Sequence, residues 1–327
     1  MKNVVRAVLG ISAFIMALSV GQASAQTPHS GTVRLIVGFA AGGSNDIVAR
    51  IIAKRAAEIL GETIIVQNQP GANGAIAAGA VARAKPDGQT LLIASPSVLT
   101  IAPHLMADLP YNPLNDFVGV GTVAVNAQVI AVNPNVKAQN MKEFLALAKS
   151  SDLTMGVAGV GALSHLTIEL LKLSGGVKLT LVPFKGGAPA TNDAIAGHID
   201  GIVMDLPPLK SFIESGRLRA LAVTSRTRSA FLPNVPTASE SGLGDMEAVN
   251  WFAILAPKGT PAETADALHT AFTKAAQDPT VIETLAKSGI EPMTQSSRAE
   301  FDTFLRDELA RWGKVVQTAN VVIAKPE

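Results

Sequence analysis

TVRLIVGFAAGGSNDIVARIIAKRAAEIL, residues 32–60, is the stretch that decides the fold. It begins with a short β-branched and apolar run, 32–38, of the kind that forms a buried strand. A glycine turn follows at 39–43, and residues 44–46 (SND) are types favoured at the start of a helix. Apolar residues then recur at helical spacing over 47–60. The stretch therefore predicts a strand, a glycine loop and a helix in that order.

The same alternation recurs in two sets along the chain. In the first set we predict further strands at 63–67 and 90–94, with a helix at 75–84 between them. In the second set we predict strands at 152–158, 179–183, 199–204 and 218–224, with helices at 162–173 and 188–196. Strands that alternate with helices indicate parallel sheets with helices on both faces.

Two segments interrupt the alternation and predict crossings between lobes. Residues 117–132 contain two strand-like runs, VGVGTVAV and QVIAV, and 248–256 (AVNWFAILA) resembles a return strand. Three helical stretches close the chain, at 262–276, 280–288 and 298–318. We therefore predict an α/β fold with two lobes, each a parallel-type sheet with helices on both faces, joined by two crossing strands. The predicted lobes are 26–125 plus 247–327, and 126–246.

The N-terminus has the layout of a secretory signal. Lys2 and Arg6 precede an apolar run at 7–20, and Ala-Ser-Ala at 23–25 offers small residues for a signal peptidase. The run is shorter than the roughly 20 residues that span a bilayer, which disfavours a membrane anchor. We predict a signal peptide over 1–25, cleavage after Ala25, and a periplasmic protein.

The charge balance excludes some classes of partner. Lys and Arg total 27 against 26 Asp and Glu, and aromatic residues make up only 4%. A phosphate backbone needs a basic excess and base stacking needs aromatic surfaces, so we predict no nucleic-acid partner. The five histidines lack metal-ligand spacing, and we predict neither a metal site nor a cofactor.

Four loops at predicted carboxyl ends of strands are rich in glycine and hydroxyl residues. They are 39–46, 95–97, 159–165 and 184–187. Ligands of open parallel sheets bind at such ends, and glycine amides beside a helix N-terminus can hold an anion without a cationic side chain. Two such loops, one from each lobe, would grip a small anion. Tight strand–helix turns are the alternative interpretation of each loop.

Side chains near these loops leave some roles open. Lys185 could add a cation, while Asp46 and Asp205 could accept hydrogen bonds from a ligand or cap helices. The pair Ser164 and His165 raises the alternative of an exported hydrolase, but no G-x-S-x-G elbow is present. The glycines of 159–164 approach a dinucleotide fingerprint, whose last position is here Ser164.

Long stretches of the chain resemble one known family. The stretches include VRLIVGFAAGGSNDIVARIIA (33–53), VQNQPGANGAIAAGAVARAKPDGQTLLIA (66–94), LVPFKGGAPATNDAIAGHIDGIVMDLPP (181–208), RLRALAVTSRTRSAFLPNVPTASESG (217–242) and NWFAILAPKGTP (250–261). In these stretches the chain resembles the extracytoplasmic solute receptors of tripartite tricarboxylate transporters, also called the Bordetella uptake gene family.

The resemblance implies a type II periplasmic-binding-protein fold, a small carboxylate ligand and delivery to a two-component inner-membrane permease. It places one ligand loop at 39–46 and a second at 158–165, with Phe184 and Asp205 at further cleft positions. A sensor kinase is an alternative partner, and we expect a monomer. The candidate ligand-binding residues are Phe39, Ala41, Gly42, Gly43, Ser44, Asn45, Asp46, Ser95, Ser97, Ala158, Gly159, Gly161, Ser164, His165, Phe184, Gly186 and Asp205.

The chain departs from the family pattern in the ligand loops. Ala40 and Ala41 stand where proline is usual, Asn45 where threonine is common, and Gln89 and Phe184 where tyrosine is frequent. These departures leave the predicted fold unchanged, and they bear on the contacts to the distal part of the ligand.

Overall fold

The predicted strand–loop–helix unit begins the fold. The computed structural model describes residues 31–295 and 297–321, so the predicted signal peptide and its cleavage point lie outside the described residues. β1 (Thr32–Val37) leads through the glycine turn into α1 (Ser44–Leu60). α1 ends at Gly61, whose left-handed φ of 71° is a conformation that glycine adopts without strain.

The remaining elements continue the alternation along the described residues. The other strands are β2 (Thr63–Asn68), β3 (Thr90–Ala94), β4 (Phe117–Val132), β5 (Leu153–Val157), β6 (Leu179–Pro183), β7 (Gly201–Asp205), β8 (Arg219–Val223), β9 (Val249–Pro257) and β10 (Glu291–Pro292). The other helices are α2 (Ala75–Ala82), α3 (Ala102–Leu105), α4 (Met141–Ser150), α5 (Leu163–Gly175), α6 (Gly187–Ala196), α7 (Leu206–Glu214), α8 (Ala262–Gln277), α9 (Pro279–Lys287) and α10 (Arg298–Ala319). A 3-10 turn, Ala72–Gly74, precedes α2, and a π-helical turn, Ser97–Ile101, precedes α3.

The strands form two sheet regions with the same internal order. The first region runs β2-β1-β3-β9-β4, and the second runs β6-β5-β7-β4-β8. In each region three parallel strands are followed by antiparallel pairing with a crossing strand. The sheets are therefore mixed rather than parallel throughout.

β4 is the element that joins the two sheet regions. It pairs with β9 as far as Ala127 and with β7 from Gln128 onward. The prediction of a crossing strand in this segment is confirmed, since one strand of 16 residues covers both strand-like runs. The change of partner lies close to the predicted lobe boundary at 125/126, while the lobes themselves stay a prediction.

Each sheet region is covered on both faces, as predicted. In the first region Leu35 of β1 packs with α1, α8 and α9, and the neighbouring Ile36 packs on the opposite face with α2 and α10. In the second region α4 and α5 cover one face, and α6 and α7 cover the other. A further apolar cluster joins the π-helical turn, α5 and α10 through Ile101, Leu163 and Trp312.

Three helices of the described chain were not predicted from the sequence: α3, α4 and α7. α3 has only four residues. α7 begins with Leu206-Pro207-Pro208, and proline is well tolerated in the first turn of a helix. α4 begins at Asn140, whose side chain accepts a hydrogen bond from the backbone of Glu143, while Glu143 accepts one from the backbone of Gln139. That reciprocal capping pattern is a sequence signal that could have revealed α4.

None of the helices described between residues 31 and 321 is long and apolar enough to cross a membrane.

Candidate functional site

Asp46 organises the first glycine loop from within. Its Oδ2 atom accepts hydrogen bonds from Gly42 N–H and Arg50 Nε, both at 3.0 Å, and its Oδ1 atom accepts one from Asn68 Nδ2 at 2.9 Å. Burial acts to raise the pKa of Asp46, but the hydrogen bonds from Arg50, Gly42 and Asn68 outweigh it and hold the pKa below its usual value. Both carboxylate oxygens are thus engaged by the protein, and the side chain fixes the loop.

The start of α1 offers free main-chain donors. Gly43 is the N-cap and makes no side-chain cap, and the first intrahelical bond is from Ile47 N–H to Gly43 O. The N–H groups of Ser44, Asn45 and Asp46 therefore precede the helical ladder and have no helical acceptor. Together with the helix dipole they favour a negatively charged group at this point.

The second glycine loop is shaped by its own side chains in the same way. Ser164 Oγ accepts from Ala158 N–H at 3.1 Å, and His165 Nδ1 accepts from Gly161 N–H at 2.9 Å. The N-cap of α5, Ala162, provides no side-chain cap, so the N–H groups of Ser164 and His165 lie before the first intrahelical bonds. This loop therefore repeats the arrangement at α1.

His165 is held as a neutral imidazole. Burial is the main cause that lowers its pKa; Glu169 acts in the opposite direction and Lys172 adds to the lowering. Because Nδ1 accepts from Gly161 N–H, the proton of the neutral ring is assigned to Nε2, which lies 3.8 Å from Glu169 Oε1. The ring can therefore offer a donor at Nε2.

A third loop is bonded to the second. Phe184 N–H donates to Val157 O and Gly186 N–H donates to Ala158 O, both at 3.0 Å. Gly186 is the N-cap of α6, has a φ of 113°, and makes no side-chain cap. Phe184, Gly186 and Ala158 thus lie in one segment, beside the second glycine loop, and Lys185 in the same segment is exposed.

Three contacts bring the first sheet region against the second. Ser97 Oγ accepts a hydrogen bond from Leu163 N–H at 3.0 Å, and Asn73 Nδ2 donates to Val160 O. The side chain of Ser44 at the start of α1 lies near enough to the carboxyl group of Asp205, at the end of β7, to lower its pKa. The predicted loop at 95–97 therefore contacts the loop at 159–165.

Close approach explains one glycine of the second loop. A Cβ atom at Gly159 would lie 2.7 Å from Asn73 Oδ1, and the φ of Gly159 is 155°. Two other candidates hold different places. Phe39 is half-buried and its ring packs near Gly74, while buried Ser95 uses its carbonyl to begin the π-helical turn and makes no described contact with either glycine loop.

Asp205 is a buried carboxyl group surrounded by neutral donors. Its Oδ1 accepts from Gln128 Nε2 at 3.1 Å, and its Oδ2 accepts from Asn250 Nδ2 at 2.7 Å. Burial raises the pKa of Asp205, and the hydrogen bonds from Ser44, Asn250 and Gln128 offset that effect only in part. Asp205 therefore joins β7 to both crossing strands and to α1.

Sequence reasoning missed the polar residues of the crossing strands. Asn126 and Asn250 pair across β4 and β9, and Gln128 pairs with Asp205 across β4 and β7. Asn126 lies near enough to the carboxyl group of Asp205 to lower its pKa, yet neither of its polar atoms meets the geometry of a hydrogen bond. Asn126, Gln128 and Asn250 could have been found from the sequence as polar residues inside apolar strands, in VAVNAQVIAV and AVNWFAILA.

Among the described residues, no three histidine or acidic side chains lie close enough together to hold a metal ion.

Comparison with known proteins identifies the family of the chain. Residues 48–321 match the model of the tripartite tricarboxylate transporter family receptor, TctC. The chain is 34% identical over 319 residues to protein BugT of Bordetella pertussis, which covers 96% of this chain and 98% of BugT.

Solved structures share the same fold. The periplasmic binding protein BugD is 33% identical with a TM-score of 0.84, over 90% of this chain and 99% of BugD. A Rhodopseudomonas palustris protein solved with adipate is 32% identical with a TM-score of 0.85, over 90% and 98% of the two chains. MatC of Rhodopseudomonas palustris, solved with bound malate, is 30% identical with a TM-score of 0.80, over 87% and 98%. The fold is thus that of the TctC/Bug periplasmic binding proteins, as the resemblance implied, and the chain belongs to the tripartite tricarboxylate transporter receptor family of solute-binding proteins.

Proposed function

We propose that the protein captures a small carboxylate between its two sheet regions and delivers it to an inner-membrane transporter. The observation that carries the proposal is the pair of helix starts at α1 and α5, each with a glycine loop, no side-chain cap and unpaired first-turn amides. Such a start holds an anion through neutral dipoles. Two of them suit the carboxylates of one small ligand, and the bond between Ser97 and Leu163 ties the start of α5 to the first sheet region.

Opening and closing of two lobes would admit and release the ligand. The proposed lobes are 26–125 plus 247–327, and 126–246, with the hinge in β4 and β9. In support, β4 changes its pairing partner between Ala127 and Gln128. Hinge closure around a ligand is the usual motion of two-lobed receptors.

The bound ligands of relatives support the chemical class. Adipate and malate occupy two of the similar structures, and both are small dicarboxylates. The candidate residues of this chain include no Lys or Arg, so the proposed site binds by dipoles and hydrogen bonds. We propose that the residues predicted from the sequence, from Phe39 to Asp205, line this site together with Asn126, Gln128 and Asn250.

We propose that the site binds without catalysis. In support, the family that the chain belongs to consists of receptors. Ser164 Oγ accepts from Ala158 N–H and His165 Nδ1 accepts from Gly161 N–H, so both side chains shape the loop. A serine nucleophile needs a base within hydrogen-bond reach, and no described contact supplies one.

We further propose export with cleavage after Ala25, a monomeric receptor in the periplasm, and a two-component permease as the partner. The apolar run and small residues of the N-terminus support export. The family supports a transporter partner, since its receptors serve tripartite transporters.

Titration calorimetry of the purified chain from residue 26 onward tests the proposal. Adipate, succinate and citrate serve as ligands, and adipamide is the matched control because it replaces both carboxylates by neutral amides. We expect at least one carboxylate to bind one-to-one, with no turnover, and adipamide not to bind. The proposal fails if no carboxylate binds while a neutral or cationic solute does.

A further inference from the structure

The polar side chains of the crossing strands form one continuous face. Asn126 and Gln128 are two residues apart on β4 and therefore point to the same side of the sheet. Their cross-strand partners are Asn250 on β9 and Asp205 on β7. We call these four residues the amide face. All four are more than nine-tenths buried.

The amide face borders both helices whose starts form the proposed carboxylate site. On one side the side chain of Ser44, the first residue of α1, lies near enough to the carboxyl group of Asp205 to lower its pKa. On the other side Thr167 Oγ1 of α5 lies 3.0 Å from Gln128 Oε1. A ligand whose carboxylates meet the starts of α1 and α5 would therefore carry its central atoms past this face.

Several polar atoms at this face have no hydrogen-bond partner among the described residues. They are Nδ2 and Oδ1 of Asn126, Oδ1 of Asn250 and, at the start of α1, Oδ1 of Asn45. Buried polar atoms are nearly always hydrogen-bonded, and leaving one unpaired is unfavourable. Both ends of the Asn126 amide are unpaired, so exchanging its oxygen and nitrogen would not remove the mismatch. The face therefore lacks a partner that both donates and accepts.

We propose that the amide face binds a hydroxyl group of the ligand, so that the carried solute is a hydroxycarboxylate. A hydroxyl group donates one hydrogen bond and accepts others, which matches the unpaired acceptor and donor of Asn126. A methylene group would leave all these atoms unpaired. An ammonium group only donates, and it would meet Asn126 Nδ2 with another donor. This inference rests on the proposed carboxylate site and adds the part of the ligand between the carboxylates.

Pairs of ligands that differ by one hydroxyl group test the inference. Malate and succinate form one pair, and citrate and propane-1,2,3-tricarboxylate form the other. In titration calorimetry of the mature chain we expect the hydroxylated member of at least one pair to bind about 10- to 100-fold more tightly, the range expected for satisfying buried polar groups.

Variants locate the effect at the amide face. In Asn126→Leu the preference for the hydroxylated ligand is expected to fall to within about threefold, while the deoxy ligand still binds, because apolar replacement removes the unpaired atoms. Thr191→Val is the matched control, since Thr191 on α6 also has a buried unpaired hydroxyl and lies outside the amide face. It should keep the preference of the wild-type chain.

Each outcome decides the inference. Equal affinities within both pairs would overturn the hydroxyl subsite and leave the carboxylate site intact, whereas a chain that binds no carboxylate would overturn both. Tighter binding of aspartate than of malate would overturn the hydroxyl assignment in favour of an amine. If Asn126→Leu does not fold, the affinities of the wild-type chain for the paired ligands still decide whether a hydroxyl group is preferred. Asn126→Ser is then the variant that tests whether the preference depends on Asn126.

Discussion

Ser97 Oγ accepts a hydrogen bond from Leu163 N–H at 3.0 Å, which joins the turn after β3 to the first residue of α5. The two residues belong to different sheet regions, and the bond satisfies one of the first-turn amides of α5. It leaves the amides of Ser164 and His165 for another acceptor. Ser97 therefore helps to hold the start of α5 against the first sheet region.

Ser97→Ala is expected to weaken ligand binding by about 3- to 10-fold, since a neutral hydrogen bond contributes about 0.5–1.5 kcal/mol. Ser229→Ala is the matched control, because Ser229 is equally buried and its hydroxyl oxygen accepts a hydrogen bond from Phe231 N–H within its own turn. Titration calorimetry with a carboxylate that binds the wild-type chain checks the difference. An equal effect of the two substitutions would contradict the role given to Ser97.

Asp46→Asn is expected to lower the free energy of unfolding by about 1–3 kcal/mol at neutral pH, because Asp46 accepts hydrogen bonds from Gly42, Arg50 and Asn68. The folded-state pKa is lowered, so the contribution of the charged group is present above the unfolded pKa of about 3.9 and is lost as the pH falls through the folded value. Urea unfolding at pH 7 and pH 3.5 should show the difference from wild type shrinking with acid. Asp152→Asn on the exposed surface is the control and should change stability by less than about 0.5 kcal/mol.

Asp205→Asn should show the opposite dependence on pH. Burial raises the folded-state pKa of Asp205, so its contribution to stability is full below the unfolded pKa of about 3.9 and is lost as the pH rises through the raised value. The stability of Asp205→Asn relative to wild type should therefore increase from pH 4 to pH 8, as measured by urea unfolding at both values. A relative stability that is flat or falls over this range would contradict the burial of the charge.

His165 should make ligand binding sensitive to mild acid. Its pKa is lowered by burial, so the neutral ring dominates at pH 7, and protonation at lower pH would break the bond that Nδ1 accepts from Gly161 N–H. The neutral ring contributes to the free energy of unfolding above the unfolded-state pKa of about 6.5. That contribution is lost as the pH falls toward the lower pKa of the folded state. The affinity for an ionised carboxylate should thus decrease between pH 7 and pH 5.

His165→Gln should flatten that pH profile, because glutamine does not titrate and its carbonyl oxygen can still accept from Gly161. His198→Gln is the matched control, since the side chain of His198 is 70% exposed and contacts Asp193 rather than a residue of the glycine loops. An unchanged profile in His165→Gln, or a flattened one in His198→Gln, would assign the pH dependence elsewhere.

The strand–loop–helix units could be predicted because their signals are local. A short apolar run predicts β1, and apolar residues at helical spacing predict α1 after the glycine turn. Both elements have the predicted order and nearly the predicted bounds. The start of α7 was missed although its signal is also local, since Pro207 and Pro208 lie in the first turn of the helix, where proline is well tolerated.

The amide face could not be predicted because it depends on long-range register. Asn126, Asn250 and Asp205 are far apart in sequence and meet only through the pairing of β4 with β9 and β7. The roles within the glycine loops were also beyond the sequence. Asp46 and His165 stay predicted neighbours of the ligand, and the structure adds that their acceptor atoms hold loop amides.

A crystal structure of the chain with a bound carboxylate measures the central claim most directly. We expect carboxylate oxygens within about 3 Å of main-chain nitrogens at the starts of α1 and α5, at residues 44–46 and 164–165. A carboxylate held chiefly by lysine or arginine side chains, or lying outside the space between β3, β7 and these two helix starts, would contradict it.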